Sequence, residues 1–264
     1  TVKPVDPGCV KRKSDMTMNK PLVSVIMPVY NGEKYIKQAV DSVYEQGVSL
    51  ELLVIDDGST DHTKEVLSAY EGREDFRYIK NEQNMGAAGS RNRGVGLAQG
   101  TYIAFLDADD WWEPGKLKEQ LKRLEETGYV LCSTGRELMK ADGSSTGRTI
   151  PVKEKITYRE LLKHNSINCS SVLLKREDAL AFPMTHDDSH EDYITWLKIL
   201  RRGGFAVGIN KPYLKYRLSE GGKSRNKLKS AAMTYQVYRY VGYGRLKSLL
   251  FFISYAVHGV WKYR

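Results

Sequence analysis

Asp107, Asp109 and Asp110 follow one another at the end of the apolar run Tyr102-Ile103-Ala104-Phe105-Leu106. Carboxylates this close repel and resist leaving water unless a positive group joins them. The chemistry expected of the cluster is coordination of a hard divalent cation, Mg²⁺ or Mn²⁺, which takes oxygen ligands and neutralises charge on a bound anion. Two more acidic pairs stand out. Asp56-Asp57 closes the apolar run Leu50 to Ile55, and Glu191-Asp192 opens a helical pattern that reaches Arg202. Capping of a helix start is the structural use of such residues.

The elements around these acids decide where they sit. Leu22 to Val29 is a β-branched apolar run, Asn31-Gly32 turns the chain, and Tyr35, Ile36, Ala39, Val40 and Val43 recur at helical spacing up to Gly47. A second unit follows, with a strand at Leu50 to Ile55 and a helix from about Thr60 to Tyr70 behind the capping candidates Ser59, Thr60 and Asp61. A short strand near Phe76 to Lys80, a helix from Ala87 to Ala98 and the strand Tyr102 to Leu106 complete the first half. Repeated βα units predict a mainly parallel, Rossmann-like α/β sheet flanked by helices, with ligands outside the carboxyl ends of the strands. Three strands end there in polar groups, Pro28-Val29-Tyr30-Asn31, Asp56-Asp57-Gly58-Ser59 and Asp107 to Asp110, which points to a nucleotide-type cleft.

The second half is less regular. Pro114 starts a helix with Leu117, Leu121 and Leu124 facing a core, and Gly128 ends it before a short strand at Tyr129 to Ser133. Asp142-Gly143 marks a hairpin-like turn, Thr157 and Glu160 have capping-box spacing, and Ser171 to Leu174 reads as strand. The loop with His186, Asp187 and Asp188 reads as surface, and the chain beyond about Ser224 as helix.

With 264 residues, 41% of them apolar, the chain can bury a full core. Cys9, Cys132 and Cys169 are odd in number and widely spaced, which excludes a disulfide framework or a Cys-based zinc site and suits reduced thiols. The formal charge of +9 is concentrated toward the C-terminus, from Arg201 to Arg264, without the motifs of a nucleic-acid binder, so none is expected as partner. No apolar run reaches the roughly 20 residues that span a bilayer. Leu249 to Trp261, bounded by Arg245, Lys247, Lys262 and Arg264, suits a helix lying on a membrane surface or packed on the domain. Residues 1–20 read as a disordered leader.

Taken together, Val25 to Asn31, Val54 to Asp61, Asn84-Met85-Gly86 with Arg91-Asn92, and Phe105 to Asp110 resemble the family 2 glycosyltransferases, inverting enzymes of the GT-A fold that use nucleotide-activated sugars. The resemblance covers roughly residues 21 to 218, and Trp111-Trp112, Lys116-Leu117, Asp192, Trp196 to Leu200 and Tyr216-Arg217 look like the subgroup that builds bacterial envelope polysaccharides, teichuronic acid included. It implies a GT-A domain at 21–218, divided into a nucleotide-sugar half at 21–112 and an acceptor half at 113–218, then a helical basic-aromatic extension at 219–264.

By the same resemblance Asp109 holds the divalent cation, Asp107 contacts the metal or the donor's ribose, and Asp110 supports or caps. Pro28 and Tyr30 enclose a uracil base, and Asp56 or Asp57 accepts its imide N–H. Arg91 reaches the base or orients the first aspartate group. Asp192 is the general base that deprotonates an acceptor hydroxyl. The implied partners are a UDP-sugar and a lipid-linked or oligosaccharide acceptor at a cytoplasmic location, and the basic-aromatic C-terminal segment adds an expected peripheral contact to the inner face of the cell membrane. Gln236 to Tyr240 is similar to the Gln-x-x-Arg-Trp signature of processive synthases, but Tyr replaces Trp and no membrane-spanning run follows, which favours single-sugar transfer. A sugar-phosphate nucleotidyltransferase would carry a Gly-rich basic loop where Tyr30 to Lys34 stands; a nucleotide-sugar-binding scaffold without catalysis is the alternative from another class.

Overall fold

The computed structural model describes residues 20–218 and 227–262. Residues 1–19 of the expected leader, and Cys9 with them, lie outside the described residues. Apolar side chains on both faces place Val23–Val29 (β1) at the heart of the sheet: Val25 and Met27 enter one core, Ile26 enters the other, and all three are inaccessible to solvent. β1 pairs in parallel with Leu50–Asp56 (β2) and Tyr102–Phe105 (β4), and β2 pairs in parallel with Phe76–Lys80 (β3). The helices Ile36–Tyr44 (α1), Thr63–Leu67 (α2) and Gly86–Leu97 (α3) make the connections, α2 continuing into a 3-10 turn at Ser68–Tyr70. This half has the parallel βα order that the apolar runs predict.

Beyond β4 the sheet is mixed. Leu173–Lys175 (β9) inserts between β4 and Leu131–Met139 (β6), antiparallel to both. Ala206–Arg217 (β10) runs parallel to β6 and pairs antiparallel with Trp111–Trp112 (β5), giving the order β3-β2-β1-β4-β9-β6-β10-β5. Ser145–Ile150 (β7) forms a hairpin with β6 around the Asp142-Gly143 turn, and Lys155–Ile156 (β8) pairs with β10. The sequence predicts only a short strand at 129–133 and none at 206–217. Within β10, Lys211-Pro212 and a register shift between Ile209 and Leu214 break the two-residue alternation that marks a strand.

The remaining helices are Lys116–Thr127 (α4), Tyr158–Lys163 (α5), Arg176–Ala181 (α6), Glu191–Arg201 (α7), Lys227–Tyr240 (α8) and Arg245–Lys262 (α9). The predicted capping box of α5 forms, Thr157 and Glu160 each accepting the other's backbone N–H. Tyr238 of α8 is fully buried and donates to the Leu162 carbonyl at 2.8 Å, so the Gln236 to Tyr240 stretch serves helix packing. Among the described residues no helix is long and apolar enough to cross a membrane.

Helix α3 lies close on β1 because Gly94 faces Ile26. A Cβ on Gly94 would stand 2.5 Å from Ile26 Cγ2, and the buried, β-branched Ile26 has little freedom to move. Gly94→Ala should therefore cost about 1–3 kcal/mol, seen as a lower urea midpoint at unchanged slope. An unaltered midpoint would show that the helix can lift off the strand at no cost.

Candidate functional site

The loop after β1 is fastened to the loop after β2. Asn31, in the left-handed region with φ 53°, donates its N–H to Ser59 Oγ at 2.9 Å and accepts the Thr60 N–H on Oδ1 at 2.9 Å. Gly32 N–H donates to Thr63 Oγ1, Glu33 N–H to Asp61 Oδ2, and His62 N–H to Glu33 Oε2. Ser59, Thr60 and Asp61 thus tie two loops together, and α2 begins later than their capping character predicts.

The adjacent Asp56 and Asp57 have different surroundings. Asp56 Oδ1 accepts from Ser59 N–H at 2.8 Å and Oδ2 from the Tyr78 hydroxyl at 2.5 Å, which anchors the turn and leaves Asp56 outside the cleft lining. Asp57 lines the cleft. Its Oδ1 accepts from Asn81 Nδ2 and Met85 N–H, and its Oδ2 from Gly86 N–H at 2.8 Å, so the carboxylate sits on the first backbone donors of α3. The side chain of Asp187 reaches the same helix end. Its Oδ1 lies 3.3 Å from the Ala88 N–H, and its Oδ2 stands 1.6 Å from where a Cβ on Gly86 would be. With φ at 73°, position 86 calls for glycine on both counts.

A cleft of about 650 Å³ opens at the carboxyl ends of β1, β2 and β4. Pro28 and the 57%-exposed Tyr30 line it with Asp57, Arg91, Asp107, Asp109 and Asp192, so the structure brings together every predicted site residue except Asp56. Asp107 N–H donates to Ser170 Oγ at 3.1 Å. Asp110 is buried behind the cleft, where its Oδ1 accepts the Arg217 N–H at 2.9 Å. Burial, with Asp109 and Asp107 beside it, pushes the Asp110 carboxyl well above the ordinary range. Arg217 is also buried; it donates to the carbonyls of Asp109 and Ala141 and to Gln38 Oε1, while its guanidinium lies over the rings of Tyr35 and Trp111. One arginine on the last strand therefore holds the acidic turn, the β6-β7 turn and α1.

Arg91 joins the two sides of the cleft. It is buried, donating from Nη2 to Asp107 Oδ1 at 2.6 Å and from Nη1 to Glu191 Oε1 at 2.9 Å. Its ion pairs run to Asp107 and Glu191, and none runs to Asp56 or Asp57. Asn92 exchanges two hydrogen bonds with the Met184 backbone and fixes α3 to the segment before α7.

Glu191 and Asp192 begin α7 and both line the cleft, Glu191 with its Oε1 held by Arg91. Asp192 Oδ1 accepts its neighbour's Tyr193 N–H at 2.7 Å. Burial first, then the charge of Glu191, pushes the Asp192 pKa up to about 7, with Arg91 opposing. A carboxylate that exchanges its proton near neutrality is suited to general-base work. His190, also on the cleft wall, places Nε2 3.4 Å from the Ser230 carbonyl of α8. Sequence reading missed the pairing of Glu191 with Arg91 and the hub at Arg217; both depend on contacts about a hundred positions apart.

Among the described residues no three His, Cys, Asp or Glu side chains converge as a metal cage. A hard cation held by one or two carboxylates and completed by phosphate oxygens of a ligand needs none. Asp107 and Asp109 on the cleft wall fit that donor set.

The sequence profile "Glycosyl transferase family 2" matches residues 24–181. TuaG of Bacillus subtilis (strain 168), provisionally named a teichuronic acid biosynthesis glycosyltransferase, is 38% identical over 250 residues, covering 94% of this chain and 99% of its own. The Escherichia coli protein named UDP-Glc:alpha-D-GlcNAc-diphosphoundecaprenol beta-1,3-glucosyltransferase WfgD is 35% identical over 252 residues, 93% of this chain and 96% of its own. In fold, the chain superposes on TarS residues 1–349 from S. aureus, solved with UDP-GlcNAc, with a TM-score of 0.69 at 19% identity over 87% of this chain and 70% of that one. It also superposes on the mannosyltransferase PcManGT from Pyrobaculum calidifontis, solved with GDP-Man and Mn²⁺, with a TM-score of 0.67 at 21% identity over 88% and 70%.

Proposed function

The chain belongs to glycosyl transferase family 2, and on that premise we propose that it moves a single hexose, with inversion at C1, from a UDP-sugar to a lipid-linked or oligosaccharide acceptor. The setting in this reading is synthesis of a bacterial cell-envelope polysaccharide at the cytoplasmic face of the membrane. The observation that carries it is a single cleft with Asp107 and Asp109 at the end of β4 and Asp192, its pKa raised to about 7, at the start of α7. The names of the relatives support it further, since TuaG points to an envelope polymer and WfgD to a UDP-sugar and a diphosphoundecaprenol acceptor.

In this reading residues 21–112 bind the donor, 113–218 present the acceptor, and 219–264 form an added helical segment. Pro28 and Tyr30 enclose the uracil ring. Asp57 accepts the imide N–H, because its carboxylate lines the cleft while Asp56 is turned to Ser59 and Tyr78 outside it. Asp107 and Asp109 are the residues that would hold a divalent cation. What a bound cation supplies there is neutralisation of the charge that develops on the departing UDP. Asp192 takes the proton of the acceptor hydroxyl as that oxygen bonds to C1 and the bond from C1 to the diphosphate oxygen breaks. Arg91 keeps Asp107 and α7 in register through its two ion pairs.

Two measurements test the donor side. Purified protein offered UDP-, GDP- and dTDP-sugars with Mn²⁺ or Mg²⁺ should release nucleotide from a UDP-sugar; release from GDP-sugars alone would overturn the uracil assignment. Asp109→Ala should weaken Mn²⁺-dependent UDP binding at least about tenfold, since even partners of metal ligands carry that much. Equal UDP affinity with and without metal in both proteins would remove Asp109 from the role.

A further inference from the structure

Residues 221–264 contain nine Lys and Arg and no Asp or Glu, so the whole formal charge of +9 resides there and the 220 residues before them are balanced. Within that stretch α9 has two unlike faces. Phe251, Phe252 and Tyr255 pack against the core, and Ser248 is buried. At about 100° per residue, Leu246, Leu249, Leu250, Ile253 and Val257 fall on the opposite side within an arc of about 100°, and all are between 47% and 73% exposed. Arg245 and Lys247, both exposed, flank this arc on its two sides. Five aliphatic side chains aligned over about three turns form a continuous apolar stripe, unlike singly scattered surface residues.

We propose that this face of α9 lies on an anionic lipid bilayer, the aliphatic stripe sunk below the headgroups and Arg245 and Lys247 set among the phosphates. Charge complementarity selects the occupant. A segment with nine basic and no acidic residues is drawn to an anionic surface, whereas a second copy of the same face would bring like charges together. Nucleic acid would satisfy the charge but offers no apolar phase for the stripe. The helix is too short and too polar to cross, so it lies in the interface.

The attachment of α8 and α9 to the rest of the protein gives this surface a purpose. Ser189 Oγ donates to the Met233 carbonyl at 2.8 Å and His190 approaches the Ser230 carbonyl, so α8 is fastened to the two residues that lead into Glu191 and Asp192. A bilayer under α9 is thereby tied to the acceptor side of the cleft. This purpose rests on the lipid-linked acceptor proposed above; the contact itself does not.

The test is co-sedimentation of the full chain with vesicles of phosphatidylcholine plus phosphatidylglycerol and with vesicles of phosphatidylcholine alone. Wild type should partition onto the anionic vesicles, and Leu250→Glu combined with Ile253→Glu should lower that partition at least about tenfold. Leu180→Glu, on an exposed leucine outside α9, should leave it unchanged. Arg245→Gln with Lys247→Gln, which spares the packed face, should lower it at least about fivefold and reduce its salt dependence. No partition of wild type, or equal partition of wild type and all α9 variants, overturns the proposal. A change in sedimentation-derived oligomeric state with unchanged vesicle binding also overturns it, in favour of a second copy. Turnover on a water-soluble short-chain acceptor, measured in parallel, should not change in the α9 variants. If no lipid-linked acceptor is ever used, the acceptor reading fails while the vesicle result stands.

Discussion

Asp192→Asn lowers the rate constant for transfer by about 10²–10⁴-fold and leaves UDP-sugar binding unchanged. The amide keeps the size and the helix-start contacts of the side chain but cannot take a proton. In wild type, kcat/KM should fall tenfold per pH unit below the Asp192 pKa of about 7 and level off above it; the variant should lack that limb. Stability should move the opposite way. The folded-state pKa lies above the ordinary value of 3.8, so the folded chain binds the extra proton, and the stability this confers is complete below about pH 3.8 and lost as pH rises through about 7. Asp192→Asn should accordingly melt higher than wild type at pH 8 and show a smaller gain at pH 5. Unchanged turnover would end the assignment of Asp192 as base, and an identical melting profile at both pH values would show that its carboxylate is not desolvated.

Arg91→Ala should be the most destabilising single change at the site, by about 3–5 kcal/mol. Removal of the guanidinium leaves Asp107 and the buried Glu191 facing each other with no cation between them. Arg91→Lys should recover only part of the loss, because one ammonium cannot reproduce a fork that donates from two nitrogens to two carboxylates. Combining Arg91→Ala with Glu191→Gln should cost less than the sum of the two changes, since the second removes a charge that the first strands. Urea midpoints for the four proteins of that cycle decide the matter. Strict additivity would mean that Arg91 does not bridge the cleft in solution.

The first half of the chain was legible in the sequence because its signals are local. β1, β2 and β4 are mainly apolar runs, and Asp57, Asp107 and Asp109 sit just beyond where such runs end. Sequence alone could not separate Asp56 from Asp57: the two are adjacent carboxylates, and what differs is Tyr78 from β3 on one and the start of α3 on the other. Arg91 was legible as a site residue but not its partners, since Glu191 comes from α7. Asp187 reads as loop surface, yet it reaches the opening turn of α3 through space left by Gly86. β10 escaped because Pro212 interrupts its alternation, and with it went the role of Arg217 at its end.

The place of β9 in the sheet bears on how the protein reaches its fold. Tyr102 of β4 pairs with Lys175, and Leu131 of β6 pairs with Leu174, so one three-residue strand splices the first four strands to the remainder. On the ribosome, β1 to β4 can pair as soon as β4 has emerged, whereas β9 and α7 come out many residues later, and N-terminal units fold first. Until β9 arrives, β4 presents an apolar strand with one unpaired edge, the kind of edge on which partly folded chains associate. In the interval between synthesis of β4 and of β9 that edge of the nascent chain stands open to association.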